Sequence, residues 1–107
     1  MATDRLHGTL DALVLKSLSG GPRHGYAVAR WLKTASDDRV QVEEGSLYPA
    51  LYRMERSGWI EADWGMTELG RKARFYKLTP KGRHQLKAET AEFVRFVAAV
   101  TPILVHG

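Results

Sequence analysis

The 107-residue sequence contains no cysteine, which excludes a disulfide framework and any thiolate metal centre and suits a reducing compartment. It also lacks Gly-x-Ser-x-Gly, a phosphate-cradling glycine loop and His-Glu-x-x-His, the spacings that would mark a nucleophilic, nucleotide-binding or zinc-hydrolytic centre. The four histidines, His7, His24, His84 and His106, are scattered along the chain, and without cysteines a zinc site would have to gather carboxylates from distant places. No metal and no cofactor is expected. The acidic pair Glu43-Glu44 lies on extended chain where neighbouring side chains point opposite ways. Catalysis has no constellation to rest on, and an enzyme is not expected. No apolar run is long enough to span a bilayer and no charged-then-apolar leader opens the chain, so a cytoplasmic protein with no membrane partner is expected. Low-complexity runs are missing too, and 44% hydrophobic residues suffice for the core of one domain.

What the chain does have is an uneven charge. The formal net charge is only +4, but between Arg53 and Arg83 eight basic residues stand against four acidic ones, while the rest of the chain has eight of each. The entire excess sits in one stretch, a local basic footprint suited to a polyphosphate backbone. At its start lies Glu-Gly-Ser-Leu-Tyr-Pro-Ala-Leu-Tyr-Arg-Met-Glu-Arg-Ser-Gly-Trp-Ile, residues 44–60. Ser46 reads as the N-cap of a helix, Pro49 falls where a missing N–H costs little, and Gly58 suits the left-handed residue that ends it, with Trp59 packing back on Met54. At 100° per residue Leu47, Ala50, Leu51 and Met54 share one arc, and Pro49, Tyr52, Arg53 and Arg56 lie opposite. One face anchors; the other is offered outward, with guanidinium groups suited to guanine edges or phosphate.

The neighbouring elements give this helix a context. Leu6, Leu10, Leu13, Val14 and Leu18 repeat at helical spacing before Ser19-Gly20-Gly21-Pro22 stops them. A second helix follows His24-Gly25, with Tyr26, Ala29 and Leu32 as its apolar stripe, Val28 beside them and Arg30 and Lys33 turned away; Ser36-Asp37-Asp38 ends it. Val40-Gln41-Val42 alternates and is β-branched, which predicts a very short strand. After Gly58 the period drops to 2: Ile60, Ala62 and Trp64 alternate with Glu61 and Asp63, and a second run at Arg74 to Leu78 turns Tyr76 and Leu78 inward. The loop between them carries Arg71 and Lys72. This order is that of a winged helix-turn-helix, mainly α with a small β-hairpin wing, in which the third helix enters a groove of double-stranded DNA and the wing touches the adjacent backbone.

Thr79-Pro80 opens a last helix, Thr as N-cap and Pro at the first position, running to about Val105. Leu86, Thr90, Phe93, Val97, Val100 and Leu104 follow a seven-residue repeat broken only by Thr90, and Val94, Phe96 and Ile103 widen the apolar surface. A compact wing domain cannot cover all of it, so a second copy is the expected cover, with packing on the chain's own first helix as the alternative. Pro102 is expected to bend or end this helix near its last turn. Residues 1–78 thus form the expected DNA-binding domain and 79–107 a dimerisation helix, in one compact unit. Of the three tryptophans, Trp59 and Trp64 fit core and hairpin packing, and Trp31, beside polar neighbours, is the candidate for stacking a planar ligand.

The chain resembles the PadR family of transcriptional regulators from about Leu6 to Arg83. The resemblance lies in Gly-Pro-Arg-His24-Gly25-Tyr26, in Gly45-Ser46-Leu47-Tyr48-Pro49-Ala50-Leu51-Tyr52-Arg53-Met54-Glu55, in Gly58-Trp59-Ile60 and in Arg74-Phe75-Tyr76-Lys77-Leu78-Thr79-Pro80-Lys81-Gly82-Arg83. It implies a homodimer on a pseudo-palindromic operator, usually a repressor, released by a small molecule or another signal. It implies DNA contacts at Ser46, Tyr48, Pro49 and Tyr52, and loosely at the wing residues Arg71, Lys72 and Arg74. With a single helix after the wing, the chain is similar to the short subfamily, in which that helix dimerises with the partner's first and last helices; Leu6, Leu10, Leu86, Phe93, Val97, Val100 and Leu104 are the residues expected there. A winged-helix module that holds a protein partner instead of DNA is the alternative, disfavoured by the basic third-helix face and wing.

Overall fold

The computed structural model describes residues 2–106, with side chains from Gly8 onward. The elements run α1 (Ala2–Ser17), β1 (Arg23–His24), α2 (Gly25–Ala35), α3 (Glu44–Arg56), β2 (Ile60–Met66), β3 (Lys72–Leu78) and α4 (Pro80–His106). Three helices pack around one core of Val14, Leu15, Leu18, Val28, Leu32, Leu47, Ala50, Leu51 and Met54, closed below by Ile60, Tyr76 and Leu78 of the sheet. Each of these aliphatic side chains is almost fully removed from water, a contribution of ~1.5–3 kcal/mol per large residue.

The wing is antiparallel in the order β1-β3-β2. Ile60 pairs with Leu78 at its base and Met66 with Lys72 near its tip, so each strand extends two residues beyond its expected limit. A five-residue turn closes it: the Thr67 N–H donates to the Arg71 carbonyl (2.8 Å) and the Gly70 N–H to the Thr67 carbonyl (2.9 Å), with Gly70 at φ +76°. Beyond the core the wing projects into solvent. Trp64, expected inward, is therefore 64% exposed: it has the right strand parity, but α3 no longer covers the sheet that far out.

Two further expectations are corrected. Val40–Val42 forms no strand; the third strand is Arg23–His24, which pairs with Tyr76 and Phe75. The Val40 N–H is taken by the Ser36 hydroxyl at 2.7 Å, and Val42 packs on the core as a single side chain. The third helix also begins earlier than Ser46, with Glu43 at the N-cap and no side-chain cap, so Ser46 stands in its first turn.

Other punctuation is where the sequence puts it. His24 caps α2, its Nδ1 accepting from the Ala27 N–H at 3.3 Å. Asp37 and Asp38 take left-handed conformations after α2. At the end of α3 the Gly58 N–H reaches the Glu55 carbonyl and the Trp59 N–H the Met54 carbonyl, both at 3.0 Å, the paired bonds of a Schellman stop. Thr79 caps α4 by accepting from the Gly82 N–H (3.0 Å) while donating to the Gly58 carbonyl (2.6 Å). One threonine thus ties the end of α3 to the start of α4. The last helix continues through Pro102 to His106, because that proline removes only one bond and little helix remains beyond it.

Candidate nucleic-acid interface

The buried residues Leu47, Ala50, Leu51 and Met54 hold α3 on the core, and helical geometry then sends Gly45, Tyr48, Pro49, Tyr52 and Arg56 to the opposite side, where all five are exposed. Tyr52 is 62% exposed and the Arg56 guanidinium lies over its ring, 5.7 Å from the centroid. Pro49 has no N–H for the Gly45 carbonyl one turn earlier. Tyr48 is held against α2: a Cβ on Gly25 would stand 2.7 Å from its Cε1 and Oη. Small residue and ring fit together, which fixes where the phenol points. Ser46 is exposed to one side of this strip.

Arg53 is exposed as expected, its side chain at 44%, but its guanidinium is also engaged within the protein. Its Nη1 and Nη2 donate to Asp11 Oδ2 and Oδ1 at 2.8 and 2.9 Å, a two-pronged bond to a carboxylate on α1 that the helical wheel of α3 alone cannot reveal. Asp11 is 4% exposed; burying it without a partner would cost several kcal/mol, so the arginine is drawn towards it. The hydrogen bond to Asp11 raises the Arg53 pKa further, and the charge of Glu89 on α4 adds to this.

The wing divides its bases between two tasks. Arg71 and Lys72 are exposed at the tip and, among the described residues, neither is held in an ion pair. Arg74 donates from Nη2 to Glu55 Oε2 at 2.8 Å and lies over the Tyr76 ring; it braces the wing against the last turn of α3. That bond also raises its pKa. Two residues are added: Tyr26 and Arg30 of α2 face Arg71 and Lys72 across a shallow groove. Arg30 was legible as outward-facing, but its closeness to the wing depends on the sheet.

Trp31 is half-buried against the core, with the Arg23 guanidinium 5.7 Å from its ring and Arg23 Nε held by the Ser17 carbonyl at 2.7 Å. Trp31 also lines a small open groove with Ala27, Arg30 and Thr34. Of the dimerisation set, Leu10 and Leu86 pack on the core, Val100 is half-buried, and Phe93, Val97 and Leu104 are exposed, Leu104 at 80%. Leu6 and His7 have side chains outside the described residues. The near end of the last helix is thus packed on the core through Leu86, while residues 101–106 at its far end are all exposed. Among the described residues no three His, Asp or Glu gather as metal ligands, and no described helix is long and apolar enough to cross a membrane.

Comparison with known proteins adds an independent line. The profile of the transcriptional regulator PadR-like family matches residues 14–88. A transcriptional regulator from Clostridium thermocellum superposes with a TM-score of 0.81 at 26% identity, over 92% of this chain and 95% of its own. A PadR-like transcriptional regulator from Bacillus cereus gives 0.74 at 29% identity, over 95% and 97%. Bacillus subtilis PadR, solved in complex with operator DNA, has the same fold, with a TM-score of 0.66 at 21% identity over 75% of this chain and 45% of its own.

Proposed function

This chain belongs to the PadR-like family of transcriptional regulators, and from that premise we propose that it is a homodimeric repressor that binds a pseudo-palindromic operator in the cytoplasm and is released by a signal or small ligand. The observation that carries this reading is the exposed α3 strip of Gly45, Tyr48, Pro49, Tyr52 and Arg56, with no carboxylate among them, beside the exposed Arg71 and Lys72. Main-chain and phenol groups with one guanidinium suit base edges and phosphate in a major groove; the wing bases suit the flanking backbone. Ser46 completes the strip on one side. Arg53 and Arg74, tied to Asp11 and Glu55, act as supports for the helix and the wing. Two such units joined through the bare end of α4 would present two recognition helices to half-sites about one helical turn, ~34–36 Å, apart.

The test is a fluorescence-anisotropy titration against DNA selected from a random pool, compared with scrambled DNA, at two salt concentrations. A dimer neutralising roughly six to ten phosphates should lose ~10³- to 10⁵-fold in affinity between ~50 and ~200 mM salt, and should prefer the selected sequence throughout. Failure of the pool to enrich any sequence would reject the reading.

A further inference from the structure

The strongest feature outside the exposed strip is the Asp11–Arg53 pair. We propose that it is a positioning bracket which locks the recognition helix to the dimer-forming layer and thereby sets the spacing between half-sites that the protein accepts. This rests on the reading of the chain as a DNA-binding dimer.

Three helices meet at this guanidinium. Asp11 comes from the middle of α1, Arg53 from the second half of α3, and Glu89 of α4 adds its charge. Glu89 is itself fixed, accepting from Gln85 Nε2 at 2.7 Å, and α1 and α4 approach so closely there that a Cβ on Gly8 would run into its carboxylate. Both oxygens of Asp11 are used by Arg53, and the paired bonds define orientation as well as distance, which a single bond does not. The other polar ties of α3, Glu55–Arg74 and Gly58–Thr79, hold its C-terminal end to the wing and to the start of α4. The bracket ties it to α1 as well and fixes its rotation on the side of α3 that continues towards Ser46, two turns earlier on the same line.

The consequence appears only when two protomers act together. Adding one base pair between half-sites moves them apart by ~3.4 Å and turns one relative to the other by roughly 34–36°. A protein whose recognition helices are rigidly tied to the dimer layer must lose one half-site when that happens. One whose helices swivel can keep both.

The experiment measures affinity for operators whose central spacer is shortened or lengthened by one base pair, using the full-length protein, Asp11→Asn and Arg53→Lys. Arg53→Lys keeps the charge and loses the fork. Wild type should lose about tenfold or more on either change, as expected when simultaneous engagement is lost; each variant should lose about threefold or less, with the ranking of half-site sequences and the dimer in sedimentation unchanged. If Asp11→Asn does not fold, Arg53→Lys decides alone. Variants that fold and dimerise yet keep the wild-type spacing profile would overturn the bracket. So would a loss confined to one base pair of each half-site in Arg53→Lys with none in Asp11→Asn, since Arg53 would then be reading a base. Wild type that binds no selected DNA rejects the repressor reading itself, a result distinct from either.

Discussion

Gly82 and Gly25 are the same residue used for different ends, and a single added methyl separates them. Gly82 lies buried in the first turn of α4, where a Cβ would strike the backbone carbonyl of Trp59. Helix propensity alone would favour alanine there by ~1 kcal/mol, but a clash with backbone cannot be relieved by a rotamer change, and overpacking of that kind costs ~1–3 kcal/mol or more. The steric effect wins. Gly82→Ala should therefore destabilise the fold by about 2 kcal/mol net, read as a lowered urea midpoint. At Gly25 the neighbour is the far end of the Tyr48 side chain, 2.7 Å away, which can swing. Gly25→Ala should leave the stability read from urea unfolding within ~1 kcal/mol of wild type, because propensity offsets the crowding. It should nevertheless weaken operator binding by ~1–3 kcal/mol through the displaced phenol. Equal binding by Gly25→Ala and wild type would remove Tyr48 from the DNA-contacting set.

Among the elements, the wing shows where exposed charge and anchored charge part. Because Arg71 and Lys72 are exposed while Arg74 is held by Glu55, the double change Arg71→Ala with Lys72→Ala should lower affinity for operator and scrambled DNA alike. The slope of log affinity against log salt should become shallower by ~0.9 for each phosphate that is no longer neutralised, up to ~4 for a dimer. A changed base preference with an unchanged slope would place these residues on base edges instead. Elements whose determinants are local could be read from sequence: the apolar period of α3, its Gly58 stop, the Thr79-Pro80 start of α4 and the alternation of the hairpin. Features closed by distant residues could not. The two-residue strand Arg23–His24 exists only because Tyr76 and Phe75 lie alongside it, whereas Val40–Val42 had the better strand composition and lacks a strand to pair with. Arg53 looked outward on a helical wheel, and only the fold brings Asp11, 42 residues away, within reach. Pro49 and Tyr52 were legible because their own helix decides their direction, whereas Tyr48 entered through the family resemblance.

At the scale of the whole molecule the question is what covers the far end of α4. The helix is 27 residues long, or ~40 Å, and residues 101–106 at its end are all exposed. Phe93, Val94, Val97, Ile103 and Leu104 are left exposed on it, in a chain whose other large aliphatic residues are mostly in the core. A self-complementary seam between two copies buries such a face twice over, since each contact in a two-fold interface occurs as a symmetric pair. A carboxylate placed in that seam is likewise buried twice. Val97→Asp should convert the proposed dimer to monomer in sedimentation velocity at micromolar concentration. The monomer should keep the helical circular-dichroism spectrum of the folded protomer, because Val97 is outside the core cluster. Operator affinity should then fall by ~10²- to 10⁴-fold, the advantage that linking two half-site readers provides. Binding to an isolated half-site should change little. An unchanged dimer would move the seam away from Val97, and a monomer that still held the full operator at wild-type affinity would mean that the two half-sites are read independently.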